Sequence, residues 1–212
     1  MLKHYLFLLA HGAGAGIGSD FMTSIAHKLN DAGLETIPFD FPYMKIMNQT
    51  GKRRPPDRMP KLIESFQQEL MHYQIKYPGK EIIIGGKSMG GRVASLLAAQ
   101  LEDNRNSSIS ACICLGFPFH PPKKLEKYRG EHLQKLKTST LILQGERDTM
   151  GSKQEMETYN LARSINVAYM PDGDHSFKPR VSSGHTLEGN ISMSSDSIIN
   201  FINSLSKLAS NK

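Results

Sequence analysis

The chain has 212 residues, of which 39% are hydrophobic and 22% charged, and this excludes a fibrous or disordered protein. Its length predicts one globular domain over residues 1–212. The formal net charge of +6 would suit a nucleic-acid ligand, but the basic residues are scattered and no aromatic stacking motif accompanies them. We therefore expect no nucleic-acid partner. The densest basic cluster lies in the loop 52–58 and comprises Lys52, Arg53, Arg54 and Arg58. These side chains either are simply solvated or steer an anionic substrate.

The first apolar run, Tyr5–Ala10, has only six residues and is too short to cross a membrane. It has no small-residue cleavage site after it, so we interpret it as a strand and not as a leader. Cys112 and Cys114 lie in another apolar run, Ile109–Leu115, where a disulfide between positions two apart is geometrically poor. Buried free cysteines suit a reducing compartment, and we predict a cytoplasmic protein with no membrane partner.

Apolar runs of strand length alternate with amphipathic runs of helix length, and the strand runs are mostly continuous, which indicates a parallel sheet covered on both faces. The strand candidates are Tyr5–Ala10, Glu35–Phe39, Glu81–Gly85, Ile109–Leu115, Thr140–Gln144 and Asn166–Tyr169. The helix candidates have apolar faces containing Phe21, Ile25 and Leu29; Met59, Leu62, Ile63, Phe66, Leu70 and Tyr73; Val93, Leu96, Leu97 and Leu101; Met156 and Leu161, more weakly; and Ile198, Ile199, Phe201, Ile202, Leu205 and Leu208. The loops predicted to meet at the carboxyl edge of the sheet are Pro42–Pro60, Phe117–Leu125 and Asp172–Asn190.

A glycine-rich turn, His11–Gly16, follows the first strand. It resembles a dinucleotide fingerprint, but G-x-G-x-x-G fails because the sixth position is Ile17 or Ser19, depending on the frame. Its small residues instead let the backbone approach a substrate closely. His11 is then interpreted as a structural brace of the turn.

The third strand candidate leads directly into Gly86-Lys87-Ser88-Met89-Gly90 and then into a helical pattern. Strand, sharp turn and helix with a serine at the tip are the context of a nucleophile elbow, in which Gly86 and Gly90 avoid crowding. The letters Gly-Lys-Ser also end a Walker A loop, but the glycine that such a loop requires five positions earlier is Glu81. Ser88 is therefore the candidate nucleophile, and the sequence suggests no role for Lys87.

A serine needs a base, and the base needs an orienting carboxylate. Asp148 follows the strand candidate Thr140–Gln144, and His175 follows the next one, so both would lie at the same edge of the sheet as Ser88. The order Ser, Asp, His along the chain is one in which such triads occur on α/β sheets.

Other residues compete for these roles. Glu146 is an alternative acid, and His185 is the other histidine downstream of the acid, although no strand precedes it. Asp172 and Asp174 belong to a Pro-Asp-Gly-Asp sequence that favours a turn. We favour Asp148 and His175.

A tetrahedral intermediate also needs hydrogen-bond donors for its oxyanion. The backbone N–H of Met89 and that of Ala13, in the glycine-rich turn, are the candidates. An acyl pocket is predicted from apolar residues of the loops, although ordinary loop packing explains part of the set: Met44, Met47, Phe117, Phe119 and Met150.

Four segments in order, LLAHGAGAG, GGKSMGGR, LQGERDTMG and GDHSF, make the chain resemble the small α/β-hydrolases of the dienelactone-hydrolase-like group, and in particular the compact hydrolases related to testis-expressed sequence 30 protein. The resemblance implies an α/β-hydrolase fold. The sequence departs from the full pattern in two ways: we expect about six mostly parallel strands without the antiparallel edge hairpin, and a minimal lid at 117–122. The resemblance implies Ser88 as nucleophile, Asp148 as acid and His175 as base, with no cofactor and no metal.

The predicted function is hydrolysis of a small ester or thioester, with a small-molecule acyl substrate as the partner. The alternative is a binding or scaffold module that kept the fold and lost turnover. The sequence leaves the acyl group, the leaving group and the oligomeric state open.

Overall fold

The computed structural model describes residues 2–104 and 108–210, with side chains described up to residue 205. All six strands of the described chain are parallel and form one sheet in the order β2-β1-β3-β4-β5-β6. The strands are β1 (Tyr5–Ala10), β2 (Glu35–Phe39), β3 (Glu81–Lys87), β4 (Ala111–Leu115), β5 (Thr140–Gly145) and β6 (Ile165–Met170). The predicted fold class is confirmed, with the sheet wholly parallel.

Helices cover both faces of the sheet. They are α1 (Asp20–Asp31), α2 (Pro42–Thr50), α3 (Met59–Lys76), α4 (Met89–Asp103), α5 (Lys153–Met156) and α6 (Leu187–Ser210). Residues of α1 and α6 pack in one hydrophobic cluster, and residues of α2, α3 and α4 pack in the other. The last helix includes the predicted apolar positions, except that the side chain of Leu208 lies outside the described part.

The alternation of side chains along each strand explains the continuous apolar runs. In β1, Leu6 and Leu8 face the cluster with α3 and α4, whereas Phe7 and Leu9 face the cluster with α1 and α6. Each strand residue of β1 is buried, because the two helix layers leave no solvated face. Cys112 and Cys114 lie on one face of β4 as free, buried thiols.

Two of the local predictions are wrong. The predicted loop Pro42–Pro60 contains helix α2, which begins with Pro42 at its first position and ends at Thr50, followed by Gly51 with φ 66°. Proline inside the start and glycine just past the end are typical helix boundaries, and Tyr43 and Met44 supply its buried face. The weak helix around Met156 and Leu161 ends at Met156, four residues after its Ser152 cap, and Leu161 packs from the following loop.

The order of the strands reverses next to β1, since β2 pairs on one side of it and β3 on the other. In an open parallel sheet such a switch point opens a crevice beyond the carboxyl ends of the strands. The glycine-rich turn after β1 and Ser88 after β3 lie at this crevice. The fold therefore brings together two segments that are far apart in the sequence.

The connection from β4 to β5, residues 116–139, contains only a short 3-10 helix at Glu131–Gln134. This confirms the minimal lid. Within the described ranges, no helix has the length and apolar character required to cross a membrane.

Candidate active site

Ser88 lies between the end of β3 and the start of α4 with φ 51° and ψ −113°, a conformation that costs a non-glycine residue free energy. The glycines on either side make this turn possible. A Cβ on Gly86 would lie 2.5 Å from the carbonyl oxygen of Ala10, and one on Gly90 would lie 2.6 Å from the same oxygen. The neighbouring strand β1 thus requires glycine at both positions, and the turn holds the hydroxyl above the sheet.

The structure brings Ser88, His175 and Asp148 into one line. Nε2 of His175 lies 2.7 Å from Oγ of Ser88, and Nδ1 lies 2.7 Å from Oδ2 of Asp148. Because a carboxylate only accepts hydrogen bonds, Nδ1 carries the proton and Nε2 accepts one from the serine hydroxyl. The Asp148 side chain is fully buried and that of His175 is 26% exposed, so the line runs from the interior to the surface.

The carboxylate of Asp148 is held from two further directions. The amide nitrogen of Gln144 donates to Oδ2 at 2.8 Å, and the backbone N–H of Met150 donates to Oδ1 at 2.8 Å. Gln144 is itself fixed, since its side-chain oxygen accepts from the backbone N–H of Phe117 at 2.8 Å. Sequence reasoning missed Gln144, although a polar residue that ends the apolar run of β5 is a usable signal.

The competing residues lie elsewhere. Glu146 accepts the backbone N–H of Asp172 and pairs with Lys153, both at 2.9 Å, and these two contacts keep the pKa of its carboxyl below the usual range. Asp172 pairs with Arg180, and that hydrogen bond lowers the pKa of Asp172 to about 2. His185 is exposed in the loop before α6.

Asp174 is also engaged locally. Its carboxylate caps the turn that follows it, accepting the backbone N–H groups of Ser176 and Lys178. None of these alternative residues is hydrogen bonded to the ring of His175 among the described contacts.

The glycine-rich turn lies beside the nucleophile. A Cβ on Gly12 would be 3.6 Å from the Cβ of Ser88. His11 is buried and braces the turn, because its Nδ1 bonds the carbonyl of Gly12 at 2.6 Å and its Nε2 accepts the backbone N–H of Phe41 at 3.0 Å. Desolvation lowers the pKa of His11, which keeps this accepting nitrogen free of a proton.

A second brace comes from α2. The hydroxyl of Tyr43 donates to the carbonyl of Ala13 at 3.2 Å and lies 3.3 Å from that of Gly12. Burial, and then the nearby charge of Asp40, raise the pKa of Tyr43 to about 12, so the donor keeps its proton. Asp40 also accepts the backbone N–H of Ile17 at 3.0 Å. The turn that carries Ala13 is therefore rigidly held, whereas Met89 begins α4 directly after Ser88.

Three of the residues predicted to line an acyl pocket are buried: Met44, Phe117 and Phe119. Phe117 and Phe119 are fully buried, and Phe119 packs with the rings of Tyr128 and Tyr159. Their place in this aromatic cluster leaves them no surface for a substrate. Two other candidates differ from each other: Met44 is buried in α2, whereas Met150, two residues after Asp148, is partly exposed.

Lys87 is the second functional candidate that the sequence did not explain. It ends β3 and is 8% exposed, and its ammonium group donates to the backbone carbonyl of His175. Desolvation lowers the pKa of Lys87 to about 8, against the opposing charges of Asp148 and Asp174. In contrast, the basic cluster formed by Lys52, Arg53, Arg54 and Arg58 is exposed in the loop between α2 and α3.

In the part of the chain that the structure describes, no group of three or more His, Cys, Asp or Glu side chains is arranged to hold a metal ion. Three polar side chains at the crevice instead hydrogen bond to one another. Ser88, His175 and Asp148 form a continuous hydrogen-bonded line suited to moving a proton between a hydroxyl and an imidazole.

A parallel α/β sheet with a strained serine after β3, and an acid and a histidine after β5 and β6, defines the class of α/β proteins built around a nucleophile elbow. The chain belongs to the α/β-hydrolase family: the family model described as an alpha/beta hydrolase domain matches residues 3–203.

Solved structures share this fold at low sequence identity. An α/β serine hydrolase homologue from Coxiella burnetii has a TM-score of 0.68 at 15% identity, covering 93% of this chain and 84% of its own. A serine hydrolase without lid from Xanthomonas campestris has a TM-score of 0.65 at 16% identity, covering 92% and 82%. A dienelactone hydrolase from Anabaena variabilis has a TM-score of 0.66 at 20% identity, covering 92% and 85%. These likenesses concern the fold.

Proposed function

We propose that the protein is a serine hydrolase that cleaves a small carboxylic ester or thioester through an acyl-enzyme on Ser88. The observation that carries the proposal is the pair of 2.7 Å contacts that link Asp148, His175 and Ser88. Membership of the α/β-hydrolase family and the neighbours named as serine hydrolases support it.

The geometry supports a two-step acyl transfer. Oγ of Ser88 attacks the acyl carbon while Nε2 of His175 accepts its proton, and the tetrahedral intermediate expels the leaving group as His175 returns that proton to it. A water molecule then loses a proton to His175, attacks the acyl carbon and releases the acid, restoring the Ser88 hydroxyl. Throughout, Asp148 keeps the imidazole in the tautomer with its proton on Nδ1 and stabilises the imidazolium.

The oxyanion donors in this proposal are the backbone N–H groups of Ala13 and Met89. Their positions support the assignment, since Met89 opens α4 and the turn carrying Ala13 lies against Ser88. The braces from His11 and Tyr43 would preorganise this turn, so that it needs little rearrangement as negative charge develops on the oxygen.

The short connection 116–139 supports a small substrate. It carries no cap helix, and its Phe117 and Phe119 are used in the core. Of the predicted pocket residues, Met150 stays a candidate for contact with the acyl group, because it is partly exposed beside Asp148.

Labelling with a fluorophosphonate probe tests the proposal directly. We expect the wild type to be labelled at Ser88 and the Ser88→Ala variant to remain unlabelled. The matched control is Ser176→Ala, which removes an exposed serine next to His175 but should leave labelling unchanged. A folded wild type that resists the probe would favour the non-catalytic binding or scaffold module.

A panel of short-chain and medium-chain acyl esters and thioesters then defines the substrate. Turnover that is present in the wild type and lost in Ser88→Ala would identify the acyl length and the leaving group. Turnover that survives this substitution would refute an acyl-enzyme on Ser88.

A further inference from the structure

Lys87 is a buried ammonium group next to the nucleophile. It occupies the position before Ser88, and in the described residues no carboxylate forms a salt bridge with it. Burying a charged group costs free energy unless the group is paired or hydrogen bonded. The buried ammonium group therefore requires a specific explanation.

The ammonium group is enclosed by three segments. It lies 5.2 Å from the ring centre of Phe21, in α1, and 5.6 Å from that of Phe177, and both rings attract a cation. On a third side, Gly116 after β4 has φ 66°, and a Cβ there would lie 2.8 Å from Nζ. The absence of a side chain at Gly116 therefore leaves room for the cation.

The hydrogen bond from Nζ goes to the backbone carbonyl of His175 itself. We call residues 171–178 the His175 loop. Two of its residues, Asp172 and Phe177, have positive φ angles of 49° and 65°, which non-glycine residues rarely adopt. Strained backbone of this kind persists only where surrounding contacts hold it.

Other contacts hold the ends of the His175 loop. The side chain of Asn190 donates to the carbonyls of Pro171 and Phe177, at 3.0 and 2.7 Å, and Arg180 pairs with Asp172. Within the described ranges, Lys87 is the group outside the loop that bonds to the backbone of His175. It also connects the loop to the same strand end that carries Ser88.

We infer that Lys87 is a positioning residue: its ammonium group ties the His175 loop to the nucleophile elbow and so fixes the imidazole at hydrogen-bonding distance from Ser88. The expected effect of Lys87 on kcat rests on the proposed function. It also has a structural consequence that does not depend on turnover, namely the geometry of the contact between His175 and Asp148.

The charge of Lys87 contributes to this tie. The groups that face it are the carboxylates of Asp148 and Asp174, from the loops after β5 and β6, together with His175 and the two rings. With a pKa lowered to about 8, Lys87 loses its proton on the alkaline side of neutrality. The attraction to the rings and to both carboxylates then disappears, so the tie weakens.

The first test compares Lys87→Met with Lys76→Met in hydrolysis of 4-nitrophenyl acetate. Methionine keeps much of the stem but has neither charge nor donor, and we expect kcat to fall by about 10-fold to 100-fold with KM changed less than about threefold. Lys76 also lies over aromatic rings, those of Tyr73 and Tyr77, but is exposed at the end of α3, and its substitution should change nothing. Lys87→Arg retains a charged donor and should recover part of the loss.

The second test needs no turnover. The Nδ1 proton of His175, bonded to Asp148, should give a strongly deshielded proton resonance, assigned by its loss in Asp148→Asn. We expect this resonance to shift or broaden in Lys87→Met and to stay unchanged in Lys76→Met. If the wild type neither turns over ester nor takes a fluorophosphonate, the proposed function fails while this test of Lys87 still stands.

A third measurement uses the wild type alone and covers the case in which Lys87→Met does not fold. Between about pH 7 and about pH 9.5, kcat should decline through an ionisation near the lowered pKa of Lys87. A flat profile over that range would overturn the inference. So would a folded Lys87→Met variant with wild-type kcat and an unchanged Nδ1 resonance.

Discussion

Gln144 donates a 2.8 Å hydrogen bond to the buried carboxylate of Asp148 while its side-chain oxygen accepts from the backbone of Phe117. One amide therefore joins the end of β5, the acid and the chain leaving β4. The same carboxylate is hydrogen bonded to Nδ1 of His175, so Gln144 helps to fix the orientation of that ring without contacting it.

Replacing this amide should affect stability and activity together. In Gln144→Met the backbone N–H and carbonyl of Phe117, the carbonyl of Gly151 and one oxygen of Asp148 each lose a hydrogen-bond partner. A single buried polar group left unpaired costs about 1–3 kcal/mol. We expect the free energy of unfolding, measured by urea denaturation, to fall by at least that amount and kcat to fall by about tenfold. Gln100→Met, on the exposed face of α4, is the control and should change neither.

The assignment of the acid is tested by comparing two carboxylates of the same loop. Asp148→Asn should lower kcat by roughly 10³-fold to 10⁴-fold, because an amide at this position favours the wrong imidazole tautomer. Glu146→Gln preserves an acceptor for the backbone N–H of Asp172 and should change kcat less than about threefold. Equal losses in the two variants would contradict the assignment.

The tight turn at Ser88 leaves no room for a methyl group at Gly90, so adding one should lower the stability of the fold. In Gly90→Ala the new Cβ would lie 2.6 Å from the carbonyl oxygens of both Ala10 and His11, so the strand, the helix or Ser88 must move. We expect the unfolding free energy to fall by about 2 kcal/mol or more. Most of the hydrolytic activity should be lost as well. Gly79→Ala, whose Cβ meets nothing within 4 Å, should be nearly neutral in thermal and chemical denaturation.

Acid should destabilise the fold through the partly buried His132. Desolvation, with the charge of Arg92, lowers the pKa of His132 to about 4, and its Nε2 lies 2.8 Å from Oγ of Ser95. The unfolded chain binds this proton near pH 6.5, so the stabilisation is complete above that pH and is lost as pH falls towards 4.

Chemical denaturation at several pH values checks this expectation. The unfolding free energy contributed by His132 should fall by up to about 2 kcal/mol between about pH 6.5 and about pH 5, and His132→Gln should show a shallower dependence. Identical slopes in the wild type and His132→Gln would show that the histidine does not titrate differently on folding.

Lys87 should carry a cost in stability at neutral pH. Its folded pKa of about 8 lies below the ordinary 10.5, so the unfolded chain binds the proton more tightly, and the unfolding free energy should rise between pH 8 and 10.5. In Lys87→Met the cost of the buried charge disappears, while the carbonyl of His175 loses its partner. We expect an unfolding free energy unchanged or higher by up to about 2 kcal/mol, although kcat falls. A large loss of stability would indicate a purely structural role.

The sequence by itself predicted the sheet, the tight turn at Ser88 and the three side chains that the structure joins by hydrogen bonds, because these are local signals. Continuous apolar runs mark strands buried on both faces, and a serine between glycines at a strand end marks a tight turn. The end of each strand fixes the edge at which Asp148 and His175 lie, since parallel strands share one carboxyl edge.

Only the tertiary structure decided the contacts between segments that are far apart in the sequence and meet at that edge. Phe117 and Phe119 read as pocket residues in the sequence, but the aromatic cluster with Tyr128 and Tyr159 draws them into the core. Nothing local to Lys87 specifies that its ammonium group reaches His175, because their 88-residue separation is closed only by folding. Contacts between side chains so far apart in the sequence follow from how strands and helices pack. The periodicity of apolar residues does not specify that packing.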